Sequence, residues 1–144
     1  MALSVVIPKA ETAVNQTIVP AAAYSASDTA GPFPVDFFSS AGITVVVTSC
    51  SGTLNVYVQR KLPDDTTYDD IAAFAQWTTA VFTTTGTYTL SFVDAGNTLN
   101  QQKSSALTAG TALATHFGSH WRIAYTIGGS GGTSTFGVYG DFRA

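Results

Sequence analysis

The sequence predicts an all-β protein: an antiparallel β-sandwich of the jelly-roll or immunoglobulin-like kind with an extended N-terminal arm. Charged residues make up only 10% of the 144 residues, where about 25% is usual for a soluble domain. The chain is instead rich in threonine and glycine, and β-branched side chains pack well on pleated sheets but lose rotamers in helices. Short runs of alternating apolar and polar residues, separated by turn residues, recur at the spacing of a sandwich.

The first 34 residues are predicted to form the arm, and residues 35–144 the sandwich domain. Residues 20–30 are mostly small and offer few bulky side chains. Such a tract buries too little apolar area to order itself, so we expect it to be mobile or to dock on a neighbouring molecule. On this interpretation, deleting residues 1–23 leaves the sandwich folded and weakens its attachment to a partner.

The alternation predicts six or more strands in the rest of the chain. They lie approximately at residues 37–38, 43–49, 53–61, 70–74, 81–83, 86–93, 121–127 and 135–142. Pro63 and Asp64 end one run, because proline lacks a donor and aspartate bonds its own backbone, so the chain should reverse there into a hairpin. The glycine-rich residues 128–132 permit positive φ, which predicts a C-terminal hairpin between the last two strands.

Residues 94–120 lack alternation and are long for a sandwich loop. Long loops in compact domains are usually functional or disordered, so this segment is the second candidate, after the arm, for contact with a partner. Residues 106–117 are predicted to form a short helix, which Gly110 would destabilise.

Charge and hydropathy exclude several classes of partner. A net charge of -3 with six basic residues lacks the positive surface that nucleic-acid binding requires. The longest apolar runs fall far short of the roughly 20 residues that span a bilayer. The N-terminus does not resemble a secretory signal, so we expect synthesis in a cytoplasm. The single cysteine, Cys50, is interpreted as a small buried thiol at a strand end.

The sequence gives little support for a catalytic site or a metal site. His116 and His120 have the four-residue spacing that aligns two imidazoles on a helix face, but no HExxH arrangement and no third ligand accompany them. There is no GxSxG elbow, and the only glutamate, Glu11, lies in the predicted arm. We therefore predict no enzyme activity, no catalytic residues and no cofactor.

Four carboxylates cluster at Asp64, Asp65, Asp69 and Asp70. Calcium takes oxygen ligands of this kind, but the spacing matches no EF-hand loop. The first two are better explained as turn formers, and the last two as solvent-facing residues at the start of a strand. No metal site is predicted.

Five aromatic residues fall on faces or edges that the alternation does not bury: Tyr24, Tyr57, Tyr68, Trp77 and Tyr139. Aromatic rings on a β-sandwich can stack on sugars, as in a carbohydrate-binding module, or anchor a protein interface, where tyrosine and tryptophan are enriched. Because so few charges are available, protein contact is the more economical interpretation.

Several strings along the chain carry a resemblance to a known class. SGTLNVYVQRKLPDDTTYDDIAAF is followed by GTYTLSF and by the closing WRIAYTIGGSGGTSTFGVYGDF. Over about residues 43–142 this pattern of hairpins resembles small virion structural proteins of tailed bacteriophages. Proteins of this appearance are usually assigned as capsid decoration (cement) proteins or other minor head or tail components.

The resemblance implies a decoration protein that binds the major capsid protein and stabilises the shell by bridging its subunits. We expect a homotrimer on the capsid surface of the virion, with no nucleic-acid or membrane partner. The alternatives are a head-tail connector or tail component, which would form a ring of different symmetry, and a carbohydrate-binding module. The residues predicted to bind a partner are Val5, Ile7, Ile18, Val19, Tyr24, Trp77 and Tyr139.

Overall fold

The computed structural model describes residues 3–5, 13–64, 66–78, 86–93, 110 and 117–144. The predicted all-β antiparallel fold is confirmed, since every element in these ranges is a strand and all seven strands belong to one hydrogen-bonded sheet. Within the same ranges there is no helix long and apolar enough to cross a membrane. The strands are β1 (Ala13–Tyr24), β2 (Asp28–Pro34), β3 (Ser40–Lys61), β4 (Tyr68–Ala73), β5 (Trp77–Thr78), β6 (Gly86–Val93) and β7 (His120–Arg143).

A long two-stranded ribbon forms the centre of the sheet. β3 has 22 residues and β7 has 24, and they pair antiparallel from Ser40 opposite Arg143 to Arg60 opposite Trp121. All other strands add to this ribbon: β1 and β2 pair with β7, and β4, β5 and β6 pair with β3.

The ribbon is interrupted at Gly52. The register shifts between Ser51 and Thr53, opposite residues 128–133 of β7. Gly52 has a φ of 86°, and a Cβ there would collide with the carbonyl oxygen of Gly128. The buried side of β3 also changes parity, from odd-numbered residues before the interruption to even-numbered residues after it. A bulge of this kind bends a strand sharply.

The bend divides the sheet into two parts. The β1 half contains β1, β6, residues 40–51 of β3 and residues 133–143 of β7. The β2 half contains β2, β4, β5 and the remaining ends of β3 and β7.

The two halves pack against each other. A straight strand of 24 residues would measure roughly 80 Å, yet the rings of Trp121 and Phe142, near the opposite ends of β7, have centroids 6.4 Å apart. Phe33 of the β2 half also contacts Phe142 of the β1 half, at 5.7 Å. The apolar core therefore lies between two faces of one continuous, folded sheet, in a sandwich-like arrangement.

The N-terminal region differs from the predicted arm. β1 pairs with β7 from Ala13 opposite Arg143 to Tyr24 opposite Ser134, and β2 pairs with the other end of the same strand. Small side chains do not prevent this, because strand pairing uses the backbone. Residues 13–34 are therefore part of the sheet. Leu3 extends it further by exchanging hydrogen bonds of 3.0 and 2.8 Å with the backbone of β2.

The predicted C-terminal hairpin is also corrected. Residues 121–127 and 135–142 belong to one strand, β7, and both pair with β3 rather than with each other. Residues 37–38, predicted as a weak strand, lie at a turn. The hairpin after Lys61 is confirmed, since Leu62 donates to the carbonyl of Thr67 at 2.8 Å. The predicted strand at 81–83 and most of the predicted helix at 106–117 lie outside the described residues.

Candidate functional site

A polar network covers the outer face of the β2 half. The register places Gln59 of β3 opposite Arg122 of β7 on one side and opposite Asp70 of β4 on the other. The neighbouring residues Val58 and Trp121 are fully buried. Since successive side chains of a strand point to opposite faces, Gln59 and Arg122 point away from the core.

Short hydrogen bonds connect these side chains across three strands. Arg122 donates from Nε to Oε1 of Gln59 at 2.7 Å, and Gln59 donates from Nε2 to Oδ1 of Asp70 at 2.7 Å. The guanidinium carbon of Arg122 lies 3.7 Å from the ring centroid of Tyr68, a cation–π distance. We call the surface formed by Tyr57, Gln59, Tyr68, Asp70 and Arg122 the Arg122 face.

The Arg122 face has the properties of a preorganised binding surface. Its arginine is held on one side by an amide and below by an aromatic ring, so little side-chain entropy remains to be lost when a partner binds. Arginine and tyrosine are the side chains enriched in the energetically important centres of protein interfaces. Tyr57 and Tyr68 are half-buried and expose the remainder of their surface there.

A buried ion pair lies on the opposite, core-facing side of the same strands. Arg60 and Asp69 approach to 3.7 Å between Nη2 and Oδ2, and they are 8% and 4% exposed. The prediction that Asp69 and Asp70 face solvent is therefore wrong: both are buried. The sequence alone does not show which residues pair with these carboxylates. In the sheet Arg60 pairs with Asp69 and Gln59 donates to Asp70, and partners of this kind allow a polar group to be buried.

Asp64 forms the turn between β3 and β4, as predicted. Its Oδ1 accepts from the backbone N–H groups of Thr66 and Thr67 at 3.1 and 2.8 Å, and Oδ2 accepts from the Thr67 hydroxyl. These bonds favour the ionised carboxylate and lower the pKa of Asp64, with those from Thr67 contributing most. Asp65 lies outside the described residues.

A groove crosses the outer face of the β1 half, on the opposite side of the molecule from the Arg122 face. Its volume is about 390 Å³. The phenol end of Tyr139 lies over Gly137, where a Cβ would come within 2.8 Å of the tyrosine oxygen. We call this feature the Tyr139 groove; its lining residues are Asn15, Gln16, Thr17, Thr44, Tyr139, Gly140 and Asp141.

Three of the residues predicted to bind a partner lie in the core. Ile18 is 2% exposed, Val19 is fully buried and Trp77 is 4% exposed. Trp77 stacks on Phe74 with ring centroids 6.0 Å apart. Their assignment to an exposed surface is corrected, because the strands β1 and β5 that carry them are paired within the sheet.

The other four predicted residues have different positions. Tyr24 is half-buried, contacts the rings of Tyr125 and Phe136 and donates its hydroxyl to the carbonyl of Pro20 at 2.6 Å. Val5 packs against the core while partly exposed. Tyr139 lines the groove, and Ile7 lies outside the described residues. Partner binding by these four stays a prediction.

The candidate metal ligands are not brought together in the described part of the chain. His116 lies outside it, and Nδ1 of His120 lies 3.1 Å from the hydroxyl of Ser119. Among the described residues no group of three or more histidine, cysteine, aspartate or glutamate side chains could hold a metal ion. Cys50 lies within β3 and is half-buried rather than fully buried, with its Sγ 3.5 Å from the hydroxyl of Ser134.

Gln59 and Arg122 were not predicted from the sequence as members of a site. Arg122 alternates with the apolar Trp121 and Ile123, which already indicates an outward side chain. Its contact with Gln59 joins residues 63 positions apart, so only the strand register discloses it.

Comparison with known proteins gives one weak similarity. No protein-family model matches the chain, and no curated protein matches it. Among solved structures, the crystal structure of the infectious bursal disease virus VP2 subviral particle is similar with a TM-score of 0.31 and 13% sequence identity. The alignment covers 91% of this chain and 40% of that one. This is a weak structural similarity to a viral capsid protein, and at this level it carries no argument about function.

Proposed function

We propose that the chain is a bacteriophage capsid decoration protein, which binds the outer surface of the head and bridges subunits of the major capsid protein. The observation that carries this proposal is the Arg122 face. The strings that resemble tailed-phage virion proteins, VYVQ, YDDIAAF and WRIAYTI, contain all five of its residues. Strand pairing brings these separate strings together into one surface.

The surface chemistry suits attachment to a repeated lattice. With only 10% charged residues, the chain has few long-range charges, so its binding should depend on short-range tyrosine, amide and arginine contacts and only weakly on salt. A protein that binds many identical positions gains avidity when several such contacts form at once, above all as a closed oligomer. We infer a homotrimer on local three-fold positions of the shell.

Cosedimentation with assembled shells tests this proposal. The purified protein is mixed with shells of the major capsid protein encoded in the same genome, and the bound copies per shell are counted. We expect saturable binding of many copies, weakened at least about tenfold by Arg122→Ala, since truncating an interface hot spot costs roughly 2 kcal/mol or more. Thr126→Ala, at an exposed position of the same strand, is the matched control and should bind normally.

Two results would contradict the proposal: shells that take up no wild-type protein, or full uptake of the Arg122→Ala variant. Saturation at a single ring per particle would instead indicate the head-tail connector or tail component that the resemblance also allows.

A further inference from the structure

We propose that the Tyr139 groove binds a neutral sugar. This site goes beyond the proposed attachment to a shell, because it lies on the outer face of the β1 half, away from the Arg122 face. Its volume of about 390 Å³ falls within the range of clefts that hold small molecules, roughly 300–1,000 Å³. A protein attached through the Arg122 face would leave the groove open to solvent.

The lining of the groove has the mixed chemistry that a sugar requires. Asn15 and Gln16 supply amide groups, and Thr17 and Thr44 supply hydroxyl groups. Amides and hydroxyls both donate and accept hydrogen bonds, as sugar hydroxyls do. None of the described residues that line the groove has an aliphatic side chain, whereas the centre of a protein interface is typically apolar. This composition favours a small polyhydroxylated ligand over a protein segment.

Tyr139 supplies an aromatic ring, the one aromatic side chain among the described residues that line the groove. Gly137 and Tyr139 lie two positions apart in β7 and therefore share the outer face. The ring fills the space above Gly137. A Cβ on residue 137 would lie only 2.8 Å from the tyrosine oxygen. The absence of a side chain at residue 137 thus fixes where the ring lies. The negative face of a tyrosine ring attracts weakly positive groups, which the C–H bonds of a pyranose present.

Asp141 determines the charge of the ligand that the groove can bind. Its Oδ2 accepts from Nη2 of Arg143 at 3.2 Å, while its Oδ1 is buried and accepts no hydrogen bond from any described residue. The side chain as a whole is 46% exposed and lines the groove, so a sugar hydroxyl can donate to the exposed part of the carboxylate. A second anion would be repelled there, so the ligand is a neutral sugar and not a uronic or sialic acid.

Affinity electrophoresis of the purified full chain tests this site. The gels contain soluble neutral glucan, mannan or galactan, with alginate as the anionic comparison. We expect retardation by at least one neutral polymer. Tyr139→Ala should weaken it about tenfold, since it removes the aromatic contact, and Tyr139→Phe, which keeps the ring, should stay within about twofold. Unfolding midpoints of both variants show whether the fold is intact.

Three outcomes would overturn the inference. The first is no retardation of the wild-type protein by any neutral polymer, and the second is retardation that survives Tyr139→Ala. The third is stronger retardation by alginate than by the neutral polymers. Shell binding is measured separately and through Arg122, so either proposal can fail without the other.

Discussion

At the scale of single residues, the fold depends on a few glycines at the bend of the ribbon. Gly52 has a φ of 86°, a conformation that L-residues with a Cβ rarely adopt. A Cβ on Gly52 would also meet the backbone of Gly128, on the strand opposite. Backbone cannot move aside as a flexible side chain can, so the two strands approach this closely only because residue 52 has no Cβ.

Gly52→Ala should therefore destabilise the protein strongly. We expect a loss of roughly 3 kcal/mol or more, from positive φ and from the collision together. Gly131→Ala is the matched control: its φ is 66° but a Cβ there meets nothing within 4 Å, so it should cost only about 1–2 kcal/mol. Urea unfolding midpoints compare the two. Equal losses would show that the close approach at the bend does not matter.

Tyr125 should make stability depend on alkaline pH. Burial, and then the charge of Asp28, raise the pKa of Tyr125 from 10.0 to about 12. Between these values the unfolded chain has lost the phenolic proton that the folded chain keeps. The free energy of unfolding therefore falls as pH rises from about 10 to 12, by at most about 1.4 kcal/mol per pH unit.

Tyr125→Phe removes this contribution, so the free energy of unfolding of that variant should fall less steeply above pH 10. Urea unfolding at pH 9, 10 and 11 measures the slope. Tyr24, whose pKa burial also raises, remains in the variant and retains its own smaller dependence. An unchanged slope would mean that Tyr125 does not hold its proton more tightly in the folded state.

At the scale of strands, β1 is an integral part of the sheet and not an independent arm. It pairs with β7 over most of its 12 residues, and among its described side chains Val14, Ile18 and Val19 are buried. Burying an aliphatic side chain contributes about 1.5–3 kcal/mol. Together the three are comparable to the entire stability of a small domain, about 5–15 kcal/mol.

Deleting residues 1–23 should consequently abolish cooperative folding, contrary to what an independent arm would allow. Deleting residues 1–5 is the control, because it keeps β1; among the contacts of the described residues it removes the packing of Leu3 and Val5 and the two backbone hydrogen bonds of Leu3. Thermal unfolding followed by circular dichroism distinguishes the variants. A cooperative transition at the wild-type temperature after the larger deletion would restore the arm interpretation.

The strands themselves could be predicted from sequence, but their partners could not. Alternation within the predicted strand at residues 121–127 places Trp121, Ile123, Tyr125 and Ile127 on one face; the first three are buried and Ile127 is partly buried against the core. A glycine-rich segment permits positive φ both in a hairpin turn and in a bulge, so residues 128–132 did not reveal that β7 continues through them. Arg122 was recognisable as outward-facing, while its bond to Gln59 required the register.

At the scale of the whole molecule, the folded ribbon creates two outer faces with different chemistry. The Arg122 face offers two tyrosines and an arginine that is held in place by contacts across three strands. The Tyr139 groove offers amides, hydroxyls and one ring. Because the two halves pack through their inner faces, these surfaces point in opposite directions, so one can attach to a shell while the other faces solvent.

Electron cryo-microscopy of shells saturated with the purified protein tests the central claim, attachment to a capsid lattice through the Arg122 face, most directly. We predict density repeated at every equivalent position, three copies around each local three-fold axis, with Arg122 against the shell and Tyr139 outward. Density confined to one vertex, or copies bound with the Arg122 face exposed, would contradict the account.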